Sequence, residues 1–317
     1  MELEKITPAL PGLSTRNEII QSLGSYSQDY SKNTPLELHL TLLNKQPGDD
    51  NISHFSEGDM FTVGGADFWW VYPTDNSFLN DEVSLENHSL VEPNRYIRKS
   101  TVEALKIISK VDWAFSVVKN YSPAFGFLKL DDKDARPITS CSVPDFPTIS
   151  FFSDIALRHI PPLSVHGGDS NYILAENIFH ESVHQYVNHQ ILTQGILSAS
   201  YTSESSPMID IPWRKNKDGS IQKWQIDRVL HAAVVYTNLL NWRLEALKSL
   251  ENDKDNLLTF FADSLPYARN SVINLYKALE DNLDCFTLKG ANRIGSLSNQ
   301  ALVAMSKLSE MNIAIEK

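Results

Sequence analysis

The chain has 317 residues, 42% hydrophobic and 21% charged, so it is long enough to bury one large core or two closely associated ones. Its formal net charge of −11 argues against nucleic acid as the main partner, because phosphate binding needs a basic surface. With two cysteines, Cys141 and Cys285, and neither in a CxxC pair, a disulfide framework is excluded and sulfur is disfavoured as a metal ligand.

Neither a membrane span nor a secretory signal is predicted. No stretch approaches the roughly 20 uninterrupted apolar residues that a membrane span needs. The N-terminal residues carry acids and a proline where a signal peptide would carry basic and then apolar residues. The sequence therefore predicts a cytoplasmic protein without a membrane partner, and it does not specify an oligomeric state.

Residues 1–94 are predicted to form an N-terminal arm and a β-rich segment. Alternating Leu, His and Thr residues predict a short strand over 36–43. Residues 59–72 predict a pair of strands that turns at Gly64 and Gly65.

Residues 95–317 are predicted to form a helical, metal-binding catalytic region that is integrated with the rest as one domain. Apolar residues at helical spacing predict one long helix over 95–121. Turn residues that include Ser142 then precede a short β-rich run at 148–152, the strand expected beside the metal-binding helix, where an unpaired edge would pair with an extended peptide.

The helix predicted over 172–190 carries the strongest functional signal, the HExxH sequence that begins at His180. On a helix, His180 and His184 project from the same face, so two imidazoles can reach one metal ion. Glu181 can address whatever binds at an open position of that metal. The alternative is a helix with two surface histidines. Asp169 or Ser170 is the predicted N-cap.

These patterns predict a mainly α (α+β) fold. Its core is expected to be helix-rich and zincin-like, with a small N-terminal or edge β-sheet packed by the HExxH helix. Residues 197–219 are predicted to be an irregular lid or pocket wall, and 221–250 a second long helix. Further helices are predicted around 257–261, 266–283 and 298–311.

A catalytic metal needs a third ligand from elsewhere in the chain. His189 lies roughly 140° around the helix from His184 at about 100° per residue, so it is interpreted as a packing or solvent histidine. The carboxylates of Glu204 and Glu245 are available, but neither lies in a supporting pattern.

His231 is the stronger candidate for the third ligand. It lies in the middle of a mostly apolar helix, where an imidazole is costly to bury without a hydrogen bond or a metal. Asp227, one turn earlier, fits two interpretations. It would satisfy a core histidine, or it would orient a metal-bound one.

Four segments between about 95 and 250 together resemble the HExxH-motif proteins of peptide natural-product gene clusters, some of which are 2-oxoglutarate-dependent peptide β-hydroxylases. The segments are SCSVPDFPTISFFSD, LAENIFHESVHQ, IPWR and DRVLHAAVVYTNLL. The resemblance implies Fe(II) held by His180, His184 and His231, with 2-oxoglutarate and O₂. It also implies hydroxylation of an unactivated carbon, expected to be Cβ, in a peptide or amino-acid-derived substrate.

The distal carboxylate of 2-oxoglutarate requires a cation, preferably arginine. Arg228 is three residues before His231, about 4.5 Å along the helix axis. Arg214 is the alternative. Each is also interpretable as a surface salt-bridge residue, and between Arg214 and His231 the chain departs from the family pattern.

HExxH by itself fits a different chemistry, peptide hydrolysis, better than any other. In a zinc metallopeptidase, Glu181 would be the general base that deprotonates water while zinc polarises the scissile carbonyl. A third hypothesis is a binding or scaffold protein that keeps the metal helix without turnover.

Overall fold

The computed structural model describes residues 10, 13–27, 60–72, 85, 87–135, 137–143, 146–160, 164–165, 167–216, 218–249 and 268–310. The predicted strand at 36–43 and the helix around 257–261 lie outside these residues. No helix in the described part is both long and apolar enough to cross a membrane.

The chain forms two compact units. The unit that we call the sheet unit contains Leu13–Ile160 and Val165–His189. The unit that we call the helical unit contains Met1–Gly12, Pro161–Ser164 and Gln190–Lys317.

A six-stranded mixed sheet forms the centre of the sheet unit. Its strands are β1 (Met60–Val63), β2 (Ala66–Val71), β3 (His88–Val91), β4 (Ala124–Leu130), β5 (Ser140–Ser142) and β6 (Ile149–Phe152). In the described part, the main path of the sheet runs β1-β2-β4-β6-β5, and β3 pairs with β4. Strands β2, β4 and β6 are parallel, whereas β1, β3 and β5 are antiparallel to their neighbours.

The predicted strand pair at 59–72 is confirmed as the β1–β2 hairpin. Its turn residues Gly64 and Gly65 have φ values of 57° and 74°. A two-residue hairpin whose two central residues both have positive φ favours glycine at each position, which is why the sequence signal was strong.

Strand β6 confirms the β-rich run predicted at 148–152, but it lies inside the sheet between β4 and β5. In the described part, β5 forms the edge of the sheet beside β6, and it includes Ser142, which the sequence predicts as a turn residue. Antiparallel pairing with the buried β6 holds these serines in an extended conformation.

Gly126 in β4 lies where neighbouring side chains leave no room for a Cβ atom. A Cβ atom there would lie 2.5 Å from Phe151 Cδ1 and 2.8 Å from Leu90 Cδ1. Gly126→Ala should therefore lower the free energy of unfolding by about 1–3 kcal/mol through overpacking, measured by denaturant titration. Gly167→Ala is the control, because a Cβ at Gly167 has no neighbour within 4 Å among the described residues. Equal stability of the two variants would contradict this packing.

The predicted helix over 95–121 is wrong as a single element. It is two helices, α2 (Arg95–Ile108) and α3 (Asp112–Tyr121), which follow α1 (Arg16–Ser27) in chain order. The backbone N–H of Lys110 bonds to the carbonyl of Ile107, three residues back, and Val111 is extended with φ −120°. The tightened last turn ends α2 although the apolar spacing continues through Val111.

Helix α4 (Asn171–Gln194) confirms the predicted HExxH helix. The hydroxyl of Ser170 accepts hydrogen bonds from the backbone N–H groups of Tyr172 and Ile173, so Ser170 is the N-cap. The helix ends before Gly195, whose φ of 57° suits a C-terminal cap. Two short strands, β7 (His159–Ile160) and β8 (Ser164–Val165), precede α4.

In the helical unit, the expectation that 197–219 is irregular is wrong in its second half. Strand β9 (Ile209–Lys215) pairs antiparallel with β10 (Ile221–Trp224), and the helix predicted from residue 221 begins only after β10. Its first backbone N–H, at Ile226, donates to the Ser206 hydroxyl. The helices of this unit are α5 (Ile226–Ser249), α6 (residues 268–280) and α7 (Leu288–Glu310). The mainly α, mixed-sheet class is confirmed.

Candidate metal centre

Helix α4 places His180 and His184 together. Their Nε2 atoms are 3.1 Å apart, and their ring centroids are 4.8 Å apart. Two imidazole nitrogens that each lie about 2.1 Å from one ion are roughly 3.0–3.4 Å apart when the angle at the ion is between a right angle and the tetrahedral value. The pair therefore fits two ligands of one metal ion, and without metal the two nitrogens can share one hydrogen bond.

The position of the histidine pair is fixed by polar side chains on the same helix. The Asn177 amide donates to the carbonyls of Ala156 and His159. Two turns further on, the Gln185 amide donates to the carbonyls of Phe146 and Ile149 at 3.0 and 2.7 Å. Because both amides are buried, these bonds fix α4 against the start of β6 and the segments that precede and follow that strand.

Glu181 lies beside the pair inside the protein, with 3% of its surface exposed. Its Oε1 is 3.8 Å from His180 Nε2 and accepts a 2.7 Å hydrogen bond from the Ser140 hydroxyl. Burial raises the pKa of Glu181 to about 7, and hydrogen bonds from the side chains of Ser140 and Ser142 oppose that shift. A carboxyl group that titrates near neutral pH can accept and return a proton during a reaction.

Among the residues that the structure describes, no group of three or more His, Cys, Asp or Glu side chains lies close enough to hold a metal ion. His231 lies in α5 of the helical unit, and its assignment as the third ligand stays a prediction. Burial lowers its pKa to about 4, so the imidazole is neutral at pH 7, which is the form that binds metals. Asp227 instead accepts from the Ser203 hydroxyl at 3.3 Å.

The predicted packing role of His189 is confirmed. Its side chain is buried and lies edge-on to the Tyr121 ring. Its Nε2 is 2.9 Å from the hydroxyl of Ser22, which itself donates to the Ile19 carbonyl. The imidazole is therefore the donor to Ser22. Of the two other carboxylates considered, Glu204 is exposed and Glu245 pairs with Lys248 at 3.0 Å.

The two predicted cofactor arginines share one region of the helical unit. The Arg228 guanidinium lies 4.6 Å from the centre of the Trp224 ring. Packing removes water from Arg228 and lowers its pKa, and the charge of Arg214 lowers it further. Arg214 is hydrogen-bonded to the hydroxyl of the buried Tyr236, whose pKa is raised by burial. Two guanidinium groups that repel each other favour an anion placed between them.

Sequence patterns missed four of the side chains in these two clusters. The sequence predicts Ser142 as a turn residue and gives Ser140 no role, and Trp224 and Tyr236 fall within the long helix predicted over 221–250. The alternation of Ser, Cys and Ser, followed by Val143, is a period-2 pattern and was the available signal for β5.

No model of a known protein family matches this chain, and comparison with curated proteins gives no match either.

Proposed function

We propose that this protein is an Fe(II)/2-oxoglutarate-dependent oxygenase that hydroxylates an unactivated carbon, Cβ, of an amino-acid residue in a peptide or natural-product precursor. The observation that carries the metal assignment is the 3.1 Å separation of the Nε2 atoms of His180 and His184. Fe(II) with 2-oxoglutarate and O₂ supplies the oxidising chemistry when bound. His231 is proposed as the third protein ligand from the sequence resemblance.

The arginine cluster favours this chemistry over hydrolysis. Hydrolysis of a peptide bond does not itself require paired guanidinium groups, whereas a dicarboxylate cosubstrate has a distal carboxylate to anchor. Arg214 and Arg228, with the Tyr236 hydroxyl, offer several donors for one carboxylate. The proposed reaction balances as peptide C–H plus O₂ plus 2-oxoglutarate giving peptide C–OH plus succinate plus CO₂.

We also propose that the sheet and helix α4 are arranged as in zincins and that the protein acts in the cytoplasm. Helix α4 lies against a mixed sheet whose described edge strand, β5, runs antiparallel to β6 and reaches Glu181 through Ser140. The substrate is proposed to be a peptide because unpaired backbone at a sheet edge pairs readily with an extended chain.

The test of this function is anaerobic purification, determination of the bound metal and addition of 2-oxoglutarate to the Fe(II) protein. A visible charge-transfer band, and succinate released in step with a peptide mass increase of one oxygen atom, are the expected results. A protein that retains zinc, gives no band and cleaves peptides would contradict the oxygenase proposal.

Arg214→Met should weaken binding of 2-oxoglutarate. Loss of a charge-assisted hydrogen bond costs about 1.5–3 kcal/mol, so the concentration of 2-oxoglutarate for half-maximal succinate formation should rise roughly 10- to 100-fold. The KM for the peptide should not change. Lys223→Met removes a cation from the same hairpin, where Lys223 pairs with Asp210 at 3.5 Å, and should leave both constants unchanged. Equal effects of the two substitutions would contradict a role of Arg214 in binding 2-oxoglutarate.

One observation favours a second candidate, a zinc metallopeptidase. Glu181 is buried, titrates near pH 7 and lies 3.8 Å from His180, as a general base for hydrolysis requires. In that function Glu181 takes a proton from water and later returns it to the leaving amine. Zinc content, new peptide termini and no dependence on 2-oxoglutarate would identify this function.

A further inference from the structure

We propose that Ser140 and Ser142 of the edge strand are positioning residues that hold the Glu181 carboxyl against the His180–His184 pair. This inference rests on the proposed metal-dependent function of that pair. It gives β5 a role in the reaction site that its short length and its serine composition do not suggest.

One oxygen of the Glu181 carboxyl group, Oε1, is held by Ser140 and faces His180. Ser140 donates to Oε1 of Glu181 at 2.7 Å, and the same Oε1 is the atom 3.8 Å from His180 Nε2. The hydrogen bond therefore acts on the carboxyl oxygen that faces the metal-binding nitrogens. Loss of the bond would free the carboxyl group to rotate about its last side-chain bond.

Ser140 and Ser142 lie on one face of the same strand, because residues two apart in a strand point to the same side. The Ser142 side chain therefore shares the face from which Ser140 donates to Glu181, and it lowers the pKa of that carboxyl group against the effect of burial. Cys141, between them, packs against the apolar core of the sheet unit. The alternation thus directs hydroxyls to Glu181 and sulfur to the core.

Strand β5 is held in place by its pairing with β6. Ser140 pairs with Phe152 and Cys141 with Phe151 of β6, and both phenylalanines are buried. A strand held by a buried neighbour keeps its side-chain directions within a narrow range, which suits a group that must hold a catalytic carboxyl in place.

The test compares Ser140→Ala, Ser142→Ala and Ser140→Thr, which keeps the hydroxyl. Ser89→Ala is the matched control, because the Ser89 hydroxyl donates to the Asp131 carboxylate at 2.6 Å, and its strand β3 is separated from β5 by β4 and β6. We expect Ser140→Ala to lower kcat roughly 10- to 100-fold, with KM and bound metal unchanged, since one hydrogen bond to a charged group contributes about 1.5–3 kcal/mol. Ser142→Ala should act in the same direction, Ser140→Thr should recover most of the activity, and Ser89→Ala should have no effect.

A second readout does not depend on turnover. Co²⁺ added to the metal-free protein reports the groups around the ion through its visible absorption. A change of that spectrum in Ser140→Ala that Ser140→Thr reverses would support the inference. Wild-type kcat and an unchanged Co²⁺ spectrum in Ser140→Ala would overturn it, as would equal loss in Ser140→Ala and Ser140→Thr.

The two proposals fail in different ways. Wild-type protein that binds Co²⁺ but neither hydroxylates nor cleaves peptide would overturn the proposed reactions, and the Co²⁺ spectra alone would then decide the role of Ser140. Wild-type protein that binds no Co²⁺ would overturn both.

Discussion

Replacement of His184 by alanine is expected to abolish both metal retention and turnover. The imidazole supplies one of the two nitrogens that meet at 3.1 Å, and His180 without its partner cannot chelate the ion. Loss of groups that merely support metal ligands lowers affinity about 10- to 100-fold, so loss of a ligand should lower it by more than about 100-fold. The measurement is a competition titration with a chromogenic chelator, followed by elemental analysis after dialysis.

His189→Gln is the control for His184→Ala. His189 lies on the same helix and is buried, but it donates to Ser22 and packs on Tyr121. Glutamine can keep a hydrogen bond to Ser22, so this variant should lose some stability and keep its metal. A His184→Ala protein that retains one equivalent of metal at wild-type affinity would show that the HExxH pair is not the metal site.

Glu181→Gln should remove most of the activity while the metal stays bound. Glutamine keeps the size of the side chain and an oxygen that can accept from Ser140, but it cannot carry charge or move a proton. General acid–base groups contribute about 10²- to 10⁴-fold, which is the expected loss of kcat. Ser89→Ala, remote from Glu181, should leave kcat unchanged. Wild-type kcat in Glu181→Gln would exclude Glu181 from the reaction and would rule out the peptidase function.

The same substitution should change how the stability of the metal-free protein depends on pH. The folded-state pKa of Glu181, about 7, is above its ordinary value of 4.5, so the folded protein binds more protons than the unfolded chain between these values. The contribution of Glu181 to the free energy of unfolding is fully present below pH 4.5 in the wild-type protein. It should be lost as the pH rises through about 7, a fall on the order of 3 kcal/mol. This fall should be absent in Glu181→Gln. The measurement is urea unfolding of both proteins from pH 4.5 to 8. If the free energies of unfolding of the two proteins changed in parallel with pH, the result would contradict the burial of Glu181.

Local chemistry accounts for the elements that were predicted correctly. Gly64 and Gly65 adopt the positive φ values of a tight hairpin, and Ser170 caps the helix whose apolar pattern starts just after it. Each of these signals is contained within a few neighbouring residues, so it needs no knowledge of the rest of the fold. The failures have a different origin. The break between α2 and α3 occurs where the apolar spacing is still helical, and β9 lies in a segment whose prolines favoured an irregular loop.

The sequence by itself determined the two histidines and the glutamate of the candidate site. Spacing along one helix is sufficient for this, because residues four apart on a helix share a face whatever the helix packs against. It also identified Arg214 and Arg228 as candidates, although only through a family resemblance.

The tertiary structure alone decided what surrounds Glu181. The edge strand that carries Ser140 is 41 residues away in the chain, and no local pattern relates a hydroxyl on a strand to a carboxyl on a later helix. The same holds for Tyr236, which meets Arg214 only because a strand and a helix of the helical unit come together. Long-range pairing of this kind depends on how buried strands and helices exclude water together, whereas the HExxH spacing depends only on the geometry of one helix.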